Sequence, residues 1–156
     1  MLVCMKRQEL MVWCMGSLLT CLIAVGQEKG QWRAVSSTAS SITGDVAFSE
    51  TRIAIDFASF PIVRVRTLES AELSSVFDVD SSGGTRGNLY RLNIPGAQKF
   101  LHKNTLCGSS DVEWLVTYVA DRSLHVAFFS GSKMPLFTAE AMANSTDLCG
   151  TFLYGR

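Results

Sequence analysis

Few side chains in this sequence are spaced for chemistry, and each set meets an obstacle. Ser130-Gly131-Ser132-Lys133 has the SxxK spacing, in which a helix start brings a lysine beside a nucleophilic serine. Here it follows the apolar run Leu124 to Phe129, so it reads as the end of a strand. Ser109, Asp111 and His125 are the residue types of a nucleophile, an orienting acid and a base. No nucleophile elbow surrounds them, and His125 alternates with Leu124 and Val126 as a solvated strand residue would. Asp78-Val79-Asp80-Ser81-Ser82-Gly83 opens like a calcium loop, with oxygen ligands at alternate positions. Its twelfth position, where a bidentate Glu belongs, is Leu89, so the segment reads as a polar turn. The sequence therefore predicts a non-catalytic protein with no cofactor and no metal.

The cysteines carry the one firm structural expectation. Lys6-Arg7, the apolar run Met11 to Val25 and the small residues Ala24-Val25-Gly26 follow the order of a secretory signal peptide cut after Gly26. A spanning helix needs about 20 apolar residues, and Gln27-Glu28-Lys29 interrupts this stretch too early, so no membrane span is expected after cleavage. A lipoprotein reading would acylate Cys21, but Thr20 replaces the small residue usual before such a cysteine. Residues 1–26 take Cys4, Cys14 and Cys21 with them and leave residues 27–156 as one exported domain. That domain holds Cys107 and Cys149, which an oxidising periplasmic or extracellular space would join. A zinc site instead would need more ligands than His102 and His125 supply.

Alternation with period two dominates the rest. Ile53, Ile55 and Phe57 oppose Arg52, Ala54 and Asp56, and Val63 and Val65 oppose Arg64 and Arg66. Tyr90, Leu92 and Ile94 then oppose Arg91 and Asn93, and the pattern recurs at Val112 to Tyr118, Leu124 to Phe128 and Phe152 to Tyr154. Strands are expected near 31–36, 42–48, 51–57, 61–68, 74–79, 88–94, 112–119, 123–130 and 148–154. Turn signals stand at Ser49-Glu50, Ser81 to Gly84, Asp121-Arg122 and Gly131-Ser132; Ser36 to Ser41 reads as a loop and Thr138 to Ala143 as a short helix. The expected fold is all-β: an antiparallel meander of eight or nine strands, closed into a small barrel to protect its edges, with a two-sheet sandwich as the rival.

Charge narrows the partners. The chain carries 14 basic and 14 acidic residues, and loss of Lys6, Arg7 and Glu9 with the leader leaves 12 and 13. Arg64 and Arg66 are the tightest basic pair, and no basic stripe of the kind nucleic acid requires is present. The sequon Asn144-Ser145-Thr146 would be glycosylated only in a eukaryotic secretory route.

Gly30-Gln31-Trp32 at the head of the first strand, with Arg156 after the last, resembles the arrangement in lipocalins and their calycin relatives. In that family a GxW opens the barrel and a basic residue near the final strand packs across the tryptophan. The resemblance implies a barrel-closing pair, Trp32 and Arg156, and an interior that holds a small apolar ligand. The chain departs from lipocalins in lacking a TDY-type motif and a C-terminal helix. The aromatics Phe48, Phe57, Phe77, Trp114, Phe128 and Phe152 would line such an interior or simply fill it. The rival role is a protein-interaction module, such as an inhibitor that inserts a loop into a cell-wall-degrading enzyme.

Overall fold

The computed structural model describes residues 27–80 and 85–156. The expected leader, with Cys4, Cys14 and Cys21, and the turn Ser81 to Gly84 lie outside the described residues. The strands are β1 (Gly30–Ala34), β2 (Val46–Phe48), β3 (Arg52–Ile55), β4 (Ala58–Leu68), β5 (Gly87–Ile94), β6 (Val112–Ala120), β7 (Ser123–Ser130) and β8 (Leu148–Gly155). Each pairs antiparallel with its neighbour in sequence and β8 returns to β1, so the meander closes into an eight-stranded barrel and not a sandwich. Among the described residues three short α-helices, α1 (Ser37–Ile42), α2 (Ser70–Phe77) and α3 (Ala139–Ala143), and a 3-10 turn at Leu101–Lys103 interrupt the connections. No helix among the described residues is long and apolar enough to cross a membrane.

Two expected β segments fold otherwise. The strand placed at 74–79 is helix α2, in which Leu73, Val76 and Phe77 recur at helical spacing and bury Leu73 and Val76 on one face. Glu72 reaches back to the Glu69 N–H at 3.0 Å, and Asp78 ends the helix in the left-handed region at φ 52°. Phe77 and Val79 had imitated a period of two. The Ser-rich loop is helix α1, so the strand placed at 42–48 shrinks to Val46–Phe48. The Ser36 hydroxyl caps α1 by accepting from Ala39 N at 3.1 Å. The expected helix at Thr138 to Ala143 forms as α3, capped by the Thr138 hydroxyl.

The strands bury two cores. Inside the barrel stand Trp32, Phe48, Ile53, Ile55, Phe60, Ile62, Leu92, Leu115, Val126, Phe128, Phe152 and Tyr154. α1 closes one end with Ala39, and the buried Thr43 hydroxyl lies 2.7 Å from the Tyr154 phenol, whose pKa burial pushes up. On the outer wall Leu89, Trp114, Val116, Tyr118, Ala127 and Phe129 form a second core beneath Leu73 and Val76 of α2 and Phe137. Trp114 and Phe77 therefore belong outside the lumen. Phe57 belongs to neither core: β3 turns at Asp56, φ 56°, and leaves Phe57 fully exposed at the hairpin tip. Val63 and Val65 also face solvent, since Phe60 and Ile62 set the inward phase of β4.

The seam between β1 and β8 is thin, with Arg33 opposite Gly155 and Ala34 opposite Tyr154. It is extended by Val35 and Ser36, whose N–H groups both donate to Leu153 O. The Ser36 hydroxyl also accepts from Leu153 N at 3.2 Å, so one oxygen both starts α1 and fastens the barrel.

Candidate functional site

The base of the barrel is organised by Trp32, which is 1% exposed and donates its indole N–H to Glu28 O at 2.7 Å. The Arg156 guanidinium lies over the Trp32 ring, 3.8 Å from its centroid. Two further bonds hold Arg156 there: its N–H donates to Arg122 O at 3.0 Å, and Arg122 Nε donates to Arg156 O at 2.9 Å. Arg156 also donates to Lys29 O. Gly30 has φ 109°, a backbone conformation that favours glycine, and packs directly beneath the guanidinium. Trp32 and Arg156, paired from the sequence, are thus brought together.

Behind the tryptophan lies a polar cluster that the sequence did not single out. Glu28 is 4% exposed; its Oε1 accepts from Thr117 Oγ1 at 2.6 Å and from Asn88 Nδ2. Its Oε2 is buried with no partner among the described residues. Burial and the charge of Glu28 push the Tyr90 phenol up to about 12, against Arg64 and a hydrogen bond to Thr117 that pull it down. The signal available was Thr117, a polar residue at an inward position between the apolar Leu115 and Val119. These bonds fix the Glu28 turn across the barrel's lower end.

Hollows among the described residues open on the outside. A cleft of about 630 Å³ lies against the outer face of β1 to β3, where Gln31, Arg33, Asp45, Asp56 and Arg156 surround a floor that includes Ala47 and Ala54. A smaller one, about 280 Å³, lies on the excursion between β7 and β8, beside Met134, Leu136 and Met142. That excursion is pinched at its neck by Ser130 N donating to Asp147 O at 2.8 Å. Phe137 anchors it edge-on to Phe129, with the Arg66 guanidinium 5.8 Å from the Phe137 ring. Met134 and Leu136 are left 45% and 70% exposed.

Cys107 and Cys149 are joined, with Cα atoms 4.8 Å apart, tying the loop before β6 to the last strand. The notional triad is not assembled: Ser109 and Asp111 share the loop before β6, and His125 lies far from both. Asp111 precedes β6 and accepts from Gly96 N at 2.8 Å, whereas His125 pairs with Tyr118 six residues along that strand, about 20 Å away. His125 packs instead against Phe77 and Tyr118, with ring centroids at 5.6 and 5.1 Å, and burial lowers its pKa. Ser130 ends β7 with its hydroxyl on Asp147 O, and exposed Lys133 lies beyond it in a bend, not on a helix start. Of the calcium-like segment, Asp78 caps α2 and residues 81–84 lie outside the described residues. No group of three potential metal ligands occurs among the described residues. Asn144 is exposed and donates to Glu140 O at 2.9 Å. No family model, curated protein or solved structure matches the chain.

Proposed function

We propose that this chain is an exported, non-catalytic binding domain that engages a protein partner through its outer surface. The observation that carries the reading is where the large side chains go. Inward positions are occupied by Trp32, Phe48, Phe60, Phe128, Phe152 and Tyr154, with α1 across one end and the Glu28 turn across the other. That filling argues against the small apolar ligand implied by the lipocalin-like resemblance, while the stacking of Arg156 on Trp32 supports a calycin-like construction of the base. Exposed Phe57, Val63, Met134 and Leu136 instead place apolar area where a protein would meet it. The Cys107–Cys149 bridge supports an oxidising, periplasmic or extracellular setting.

A titration with an environment-sensitive naphthalene dye and with a long-chain fatty acid tests the reading. Absence of saturable uptake is expected. One-to-one uptake that is lost when the interior residue Ile53 is replaced by Trp would overturn it and restore the carrier.

A further inference from the structure

β4 changes partners along its length. Through Arg52 opposite Pro61 it pairs with β3, and from Ile62 to Leu68 it pairs with β5. The Ile62 N–H still reaches across to Thr51 O at 2.8 Å. β3 starts at Arg52, so among the described residues no strand lies beside Val63 to Leu68 on that side. Backbone groups on an antiparallel strand repeat their direction every second residue, and the N–H and C=O of Arg64 therefore project into the same open side as those of Ile62. The barrel closes as a cycle and yet keeps a short free edge. A bulge between Arg64 and Arg66 confines that edge to the residues around Arg64.

The side chains there have a distinct chemistry. Val63 and Val65 are 66% and 46% exposed. Ion pairs among the described residues take Lys29, Arg66, Arg86 and Arg91 and leave Arg64 without a carboxylate. Arg64 donates to Thr67 Oγ1 at 2.8 Å, whereas Arg52 is turned back from the edge by two bonds to Ser59, each at 2.8 Å.

We propose that this edge takes up an extended segment of a partner protein as an added strand, with apolar residues beside Val63 and Val65 and an acidic residue beside Arg64. A second copy of the chain fits less well, because two-fold antiparallel pairing about Arg64 sets guanidinium against guanidinium. The inference rests on the surface-binding reading and names the chemistry of its partner.

Selection of random dodecapeptides displayed on phage against the full chain with its disulfide intact tests it. Enriched peptides are expected to set an acidic residue between apolar ones and to bind Arg64→Pro at least tenfold more weakly. That variant deletes the projecting N–H at an edge position, where proline is tolerated; its circular dichroism and disulfide-intact mass should match the parent's. Val65→Lys, which blunts the edge by charge, serves if Arg64→Pro does not fold. Arg64→Gln keeps the N–H and should lose only the preference for acidic peptides. Enriched peptides that bind the edge variants as well as the parent, or that lack acidic residues, overturn the proposal. Binding lost through Leu136→Asp but not through Arg64→Pro overturns the edge and leaves the surface-binding reading standing; dye uptake into the lumen sinks that broader reading instead.

Discussion

The two halves of the barrel's outer wall are built to different rules. Over β6 and the adjoining parts of β5 and β7 the outward residues Leu89, Trp114, Val116, Tyr118, Ala127 and Phe129 are apolar, and α2 and the Phe137 anchor cover them. Over β1 to β3 the outward residues are Gln31, Arg33, Ala47 and Ala54, beside an open cleft, and only Leu68 at the far end of β4 joins the outer core. At its centre, from Trp114 to Tyr118 of β6, the clothed half is buried on both faces, so apolar residues stand in both phases of the alternation there. The bare half is buried on one face only, and its outward positions are released from packing. Stability is concentrated in the first and surface chemistry in the second.

This contrast can be broken from its strong side first. Phe129→Ala, removing a fully buried ring from the clothed half, is expected to cost about 3 to 5 kcal/mol in urea unfolding. A loss below about 1 kcal/mol would mean that the outer core does not hold the fold. Replacing both Cys107 and Cys149 by Ser releases a cross-link between residues 42 apart in sequence and should cost about 4 kcal/mol on the chain-entropy model. The same comparison under reductant provides the check.

A smaller effect is pH-dependent and also lies on the clothed side. Burial lowers the pKa of His125, so as pH falls below the ordinary value of 6.5 the unfolded chain binds this proton first. The histidine's contribution is complete above pH 6.5 and declines as pH drops towards its folded pKa. Unfolding measured between pH 7.5 and 5 should show less acid loss for His125→Phe than for the parent, and an unchanged slope would refute the assignment. Smallest of all, Val63→Ser on the bare half should move stability by no more than about 0.5 kcal/mol. A large loss there would show that the bare face is covered after all.

The same division explains what the sequence disclosed. One-sided strands such as Tyr90-Leu92-Ile94 and Leu124-Val126-Phe128 face inward as their alternation indicates. β6 was ambiguous because Trp114, Val116 and Tyr118 are buried outside while Leu115 lies inside, and alternation cannot name the side when both are apolar. Phe57 and Val63 kept a plausible phase but lost their burial to a hairpin turn and to the frame set by Phe60 and Ile62. α1 was hidden by Ser and Thr, which are weak helix formers; what sustains it is a cap and the burial of Ala39, both tertiary events. The disulfide and the Trp32–Arg156 pair were legible because each depends on residue type. Glu28 was not, since its partners Asn88 and Thr117 come from strands far along the chain.

The doubly used hydroxyl of Ser36 has a kinetic consequence. Because the same oxygen receives Ala39 N and Leu153 N, unwinding the α1 cap and parting β1 from β8 remove bonds from a single acceptor. The two motions should therefore breathe as one cooperative unit, with the amides of Ala39 and Leu153 exchanging their hydrogens at a common rate. The barrel's weakest stitch is in that sense also the latch of its lid.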